Sequence, residues 1–189
     1  MKSVLTILTI AIGATALAAA ADSATTKPTK GNVPMTTTTL SSDTTTSADE
    51  AEIRALEDRF AAALSAGDID AMMKNYLSDD SLIVFDVVPP RQHRGADEYR
   101  KAWESFFAHF KGIPKIEITD LGLTVDGTVG FGHSIQHVTG TDTQGRPVDR
   151  TVRVTDGYRK IGGKWLIALE HISVPIDLKT GKADFTSKP

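Results

Sequence analysis

The chain contains no cysteine. Disulfides, thiolate metal sites, a cysteine nucleophile and lipid attachment through a cysteine are excluded together. Charge of one sign is also lacking: 21 Lys and Arg stand against 24 Asp and Glu, a net charge of −3. No basic run and no alternation of basic with aromatic residues occurs, which argues against a nucleic-acid partner. The Gly-x-Ser-x-Gly elbow, the phosphate-binding loop and the dinucleotide fingerprint are missing, so elbow-type acyl transfer and nucleotide chemistry are disfavoured and no cofactor is expected.

Long apolar runs are scarce. The longest, Val4 to Leu17, follows Lys2 and leads into Ala18–Ala21. A basic start, an apolar stretch and small residues make the plan of an export signal over residues 1–21. A membrane anchor needs about 20 strongly apolar residues, and this run is diluted by alanine. The expected location is therefore outside the cytoplasm, periplasmic or secreted, with no stable membrane anchor after processing. Residues 22–47 are Thr- and Ser-rich with little to bury, so they read as a disordered linker. Composition leaves a flexible tether and a glycosylated stalk both open. What remains is one domain, 48–176, and a polar tail, 177–189.

Within the domain, Ser47 and Glu50 form a capping box ahead of Ile53, Leu56, Phe60 and Leu64 at helical spacing, with Gly67 to end the helix. Asp68 can cap a shorter helix bearing Met72, Met73 and Tyr76. Leu82–Phe85 reads as a strand broken by Pro89–Pro90. A third helix follows Gly95, with an aromatic stripe of Tyr99, Trp103, Phe106, Phe107 and Phe110. Beyond Pro114 the period changes to two. Ile116 and Ile118 give way to Leu121, Leu123 and Val125, a switch of face that suggests a bulge near Asp120. Three further strands follow, the first after the tight turn at Asp126–Gly127. Helices first and sheet after predict an α+β fold: a cone-shaped, strongly curved antiparallel sheet wrapped around about three N-terminal helices.

Strand parity nominates the chemistry. From Thr151 to Lys160 one face carries Val152, Val154, Asp156 and Tyr158; the other carries Thr151, Arg153 and Thr155. The apolar face reads as the buried one, which puts Asp156 in greasy surroundings that raise its pKa. The competing reading pairs Asp156 with Arg153, Arg159 or Lys160 in an ion pair. Tyr76 and Trp103 lie on helical stripes and serve either as core or as pocket wall. His93, near the expected mouth, either touches a ligand or is solvated. His133 and His137 lie four residues apart on a strand, about 13 Å, too far to share a metal ion. His137 remains a candidate acid–base group. Glu170 and His171 are adjacent, so one faces inward: Trp165, Ile167 and Leu169 favour His171.

Two stretches, AAALSAGDIDAMMKNYLSDDSLIVF (61–85) and TVRVTDGYRKIGGKWLIALEHISVP (151–175), resemble the nuclear transport factor 2-like superfamily, and within it SnoaL-like and ketosteroid-isomerase-like proteins. The resemblance covers roughly residues 49–176. It implies a cone-shaped pocket, and it places Asp156 where ketosteroid isomerases keep a protonated, hydrogen-bond-donating aspartate. The oxyanion-hole tyrosine aligns with Phe60, which has no hydroxyl, and the general base falls at Phe85 or Asp86. DTQGRP (142–147) and GKWLIALEHIS (163–173) are similar to the association domain of calmodulin-dependent kinase II. That likeness implies a homodimer packed through the outer sheet face, and its alignment turns Glu170 inward instead of His171.

Two functional readings follow. One is a small-molecule-binding domain, its hydrophobic pocket lined by Tyr76, Trp103, Val154, Tyr158, His93 and either Glu170 or His171. The other is an isomerase- or cyclase-type enzyme acting on a small hydrophobic carbonyl compound, with Asp156 and either Asp86 or His137 exchanging the proton.

Overall fold

A computed structural model describes residues 47–187. The expected export signal and all but the last residue of the Thr/Ser-rich linker lie outside the described residues.

Helix α1, Ala48–Ala66, begins where Ser47 accepts a hydrogen bond from the amide of Glu50 (3.1 Å) and ends at Gly67, whose φ of 67° is left-handed. Asp68 caps α2, Ile69–Met73, through the amide of Ala71. After β1 (Ile83–Phe85) and β2 (His93–Arg94) comes α3, Ala96–Ala108. Four long strands complete the domain: β3 (Lys115–Asp126), β4 (Val129–Thr141), β5 (Pro147–Ile161) and β6 (Lys164–Ser173).

The six strands form one sheet in the order β2-β1-β6-β5-β4-β3. All pairs are antiparallel except β1 with β6, so the sheet is mixed rather than wholly antiparallel as expected. The reason is topological: β1 reaches β6 across the whole helical and sheet sequence between them, and it arrives running the same way. The segment after α2 also joins this edge, with Leu77 donating to the carbonyl of Ile167 and Ile167 donating to that of Asn75.

Two bulges set which residues face the helices. In β3 the register shifts between Thr119 and Gly122, where Asp120 has a φ of 56°. Ile116 and Ile118 pack on the core before it, Leu123 and Val125 after it. In β6 the shift falls opposite Gly157 and Tyr158, which pair with Leu169 and Ile167 and leave Ala168 as the extra residue. One inserted residue exchanges the two faces of a strand. Trp165 and Ile167 therefore face inward before the bulge, and Glu170 faces inward after it.

The core lies between α1, α2, α3 and the inner sheet face, around Ile53, Leu56, Phe60, Leu64, Met72, Tyr76 and Tyr99. The indole of Trp165 and the ammonium of Lys160 both bond Asp49, which ties the first turn of α1 to the β5–β6 hairpin. The tail folds back over the sheet end: Ile176 bridges Ala183, and the amide of Thr151 donates to the carbonyl of Phe185.

Candidate functional site

One row of residues crosses the inner face of the sheet. Reading the paired positions from edge to edge gives His93, Val84, Glu170, Asp156, Gly132 and Leu123, one from each strand. Adjacent strands lie about 4.8 Å apart, so Asp156 and Glu170 are immediate neighbours and His93 stands two strands away from Glu170. Asp156 is 6 % exposed, Glu170 4 % and His93 7 %.

Helices α1 and α3 and the segment after α2 supply partners from above. Tyr76 and Tyr99 each donate a hydroxyl to Glu170, to Oε2 and Oε1 at 2.5 Å. Tyr158, two residues from Asp156 on the same face, donates to Oε1 of Glu57 at 2.8 Å. Gly132 makes room for that phenol, because a Cβ there would come within 2.9 Å of its oxygen. Tyr99 is the hub: its ring contacts those of Tyr76 (5.3 Å), Trp103 (5.7 Å) and His93 (6.0 Å).

Burial without a cation governs the electrostatics. Desolvation pushes the Asp156 carboxyl well above the usual range, and the charges of Glu170 and Glu57 push the same way. Burial also raises Glu170, opposed by the two phenol hydrogen bonds, and it stands at about 7. Glu57 is raised by burial against the hydrogen bond from Tyr158. The three phenols are raised too, chiefly by burial, and stay hydrogen-bond donors at neutral pH. Glu170 receives two donors and Asp156 Oδ1 none, so Glu170 is the member that ionises and Asp156 the member that keeps its proton.

Four buried polar atoms around this row lack a partner: Asp156 Oδ1, Trp103 Nε1 and both ring nitrogens of His93. The nearest acidic oxygen to His93 Nδ1, on Glu98, is 3.5 Å away. Leaving such atoms unpaired costs about 1–3 kcal/mol each, so an occupant that satisfies them is favoured.

The structure brings together Asp156, Tyr76, Trp103, Val154, Tyr158, His93 and Glu170. Between Glu170 and His171 it selects Glu170. His171 is exposed on the outer face, its ring edge-on to Phe85 at 5.7 Å. His137 is a correction: paired with Thr151, it shares the outer face and sits between Asp149 (2.9 Å) and Glu117 (3.6 Å), on the other side of the sheet from Asp156. Those two carboxylates raise its pKa, the Asp149 hydrogen bond most. The ion-pair alternative for Asp156 is closed as well. Lys160 turns to Asp49 and Glu52, while Arg153 and Arg159 are exposed on the opposite face. Asp86, just beyond β1, caps its own loop through the amide of Val87. Its charge still acts on Tyr99 and Glu170.

Two surface hollows flank the domain. One, of about 540 Å³, is lined by the loop from Asp86 to Arg91; the other, of about 230 Å³, lies between β4, β5 and the tail. Neither is lined by Asp156 or Glu170, which are buried. Sequence reading missed Glu57 and Tyr99. Both stand on helical faces at core spacing, Glu57 between Leu56 and Phe60, and an acid at such a position was the available signal.

Three helices against one face of a six-stranded mixed sheet, with ionisable groups gathered on that face, define an α+β domain of the nuclear transport factor 2-like, cystatin-like type. The chain belongs to the SnoaL-like domain family, whose pattern matches residues 53–177. It is similar to an NTF2-like protein of unknown function from Pseudomonas putida KT2440, at 31 % identity over 75 % of this chain and 97 % of that one, with a TM-score of 0.67. A candidate calcium/calmodulin dependent protein kinase II association domain from Xanthomonas campestris is 26 % identical over 66 % and 86 %, with a TM-score of 0.56. A ketosteroid isomerase-like protein from Erwinia carotovora atroseptica SCRI1043, 22 % identical over 65 % and 93 % with a TM-score of 0.56, shares the fold. A search of the curated proteins gave no match.

Proposed function

We propose that this chain is a small-molecule-binding domain. The ligand's polar end meets Asp156 and Glu170, and its apolar body lies in a hydrophobic pocket against Tyr76, Tyr99 and Trp103. The observation that carries this reading is the set of buried, unpartnered polar atoms on Asp156, Trp103 and His93 around one aromatic hub. Native mass spectrometry of the purified chain, with thermal shifts across a panel of small hydrophobic compounds, tests it. A bound mass or a raised Tm supports the reading; bare protein and an unresponsive Tm throughout would sink it.

A second reading has its own support in the unequal hydrogen bonding of the two carboxyls. A group that keeps a proton beside one that ionises near neutrality is the pairing general acid–base catalysis uses. The domain would then isomerise or cyclise a small hydrophobic carbonyl compound without a cofactor. Turnover of a cyclic enone or lactone, abolished by Asp156→Asn with the Tm kept, is the result that establishes it.

Export and self-association complete the proposal. Loss of about 21 residues from the mature chain, read by intact mass, tests the first. A homodimer through the outer sheet face, where Phe131 and Phe85 are exposed, is tested by light scattering at two concentrations.

A further inference from the structure

Resting on that binding reading, we infer that the ligand is a small protonated amine rather than a neutral carbonyl compound or an anion. Three carboxyl side chains, Glu57, Asp156 and Glu170, are buried on the helix-facing side of the sheet. Asp156 pairs with Glu170 across the strands, and Tyr158 on the Asp156 face bonds Glu57. No basic side chain joins them among the described residues: the Lys and Arg ion pairs all go to carboxylates elsewhere, such as Lys160 to Asp49 and Arg100 to Asp70. The only imidazole on this row, His93, has both nitrogens buried and unpartnered, and a neutral imidazole offers one acceptor.

The independent sign of an occupant is polar and unsatisfied. Asp156 Oδ1 lies in the carboxyl group with no donor of its own, and His93, at the end of the same row, has no partner for either ring nitrogen. An ammonium group donates up to three hydrogen bonds and accepts none, matching a wall of carboxyl oxygens and one imidazole acceptor. The rings of Tyr76, Tyr99 and Trp103 add π faces, which attract a desolvated cation. A metal ion is disfavoured by geometry, since among the described residues no three His, Asp or Glu side chains are placed to hold one. An anion would meet carboxyl groups with no cation beside them among the described residues to offset the repulsion.

The test uses three probes of one size on the unmutated chain: benzylamine, benzyl alcohol and benzoate, each titrated at pH 7.5 while the indole N–H resonances of Trp103 and Trp165 are followed by NMR. The expected result is that benzylamine shifts the Trp103 signal and binds about tenfold or more tightly than benzyl alcohol, with benzoate inert. Asp156→Asn and Glu170→Gln, checked for native near-UV dichroism, each weaken benzylamine about tenfold. Benzyl alcohol or benzoate binding as well as the amine overturns the inference and leaves the binding reading standing. Unchanged amine affinity in both folded variants overturns it equally. Silence from all three probes overturns it too, and the broader reading falls only if the mass-spectrometric and thermal-shift panel is also blank.

Discussion

Asp156 on β5 and Glu170 on β6 oppose one another across paired strands, both buried, one bonded by two phenols and the other by none at Oδ1. Most buried carboxylates in folded proteins are matched by a cation; here the protons themselves keep the charge down. The consequences are measurable.

Stability should fall as pH rises across the titration of Glu170. Its carboxyl moves from an ordinary 4.5 unfolded to about 7 folded, so the folded chain holds the extra proton between those values. The associated stabilisation is complete below 4.5 and is lost as pH rises through about 7. Its size is on the order of 3 kcal/mol. Urea unfolding of wild type and Glu170→Gln at about pH 5 and about pH 8 checks this. The glutamine variant should show a much shallower loss, and equal slopes would refute the assignment.

Removing a phenol should raise Glu170 further. Tyr76→Phe and Tyr99→Phe each delete one donor to its carboxylate, at a cost of about 1–3 kcal/mol above neutral pH. Because both bonds end on one group, the double variant should depart from the sum of the singles. The carboxyl titration, followed by carbon NMR, should move upward in each.

Gly132 should reject a methyl group. An added Cβ would lie 2.8 Å from Leu123 Cδ2 and 2.9 Å from Tyr158 Oη. Gly132→Ala should cost about 1–3 kcal/mol in denaturant unfolding. In a Tyr158→Phe background the penalty should shrink, since one of the two clashing atoms is gone. A penalty unchanged by the second substitution would place the strain elsewhere.

Asp156→Asn and His137→Ala should separate the two faces of the sheet. Asp156 already keeps its proton, so an amide of the same size should alter stability by less than about 1 kcal/mol while weakening ligand binding or abolishing turnover. His137, exposed between two carboxylates on the outer face, should leave binding untouched. Binding lost in the histidine variant and retained in the asparagine variant would invert the proposed site.

How far the sequence could be read depended on whether a pattern broke visibly. In β3 the apolar positions change parity from Ile116 and Ile118 to Leu123 and Val125, so the bulge at Asp120 was legible. In β6 every residue from Trp165 to Leu169 is apolar, and no alternation exists to betray the extra residue at Ala168. Extrapolating from Trp165 and Ile167 across it pointed to His171, one position off. Likewise β2 is two residues long, too short to carry a period, so the placement of His93 beside Val84 was hidden.

The order of helices and strands, their caps, and the inward turn of Val154, Asp156 and Tyr158 belong to the chain's local patterns, because periodicity and capping are settled within a few residues. The company Asp156 keeps was decided only by the folded sheet. Glu57 lies 99 residues from it and 113 from Glu170; cross-strand register and one silent bulge set Glu170 beside it, and packing over the sheet brings Glu57, Tyr76 and Tyr99 to the pair. Register is a property of pairs of strands, and no single strand encodes it.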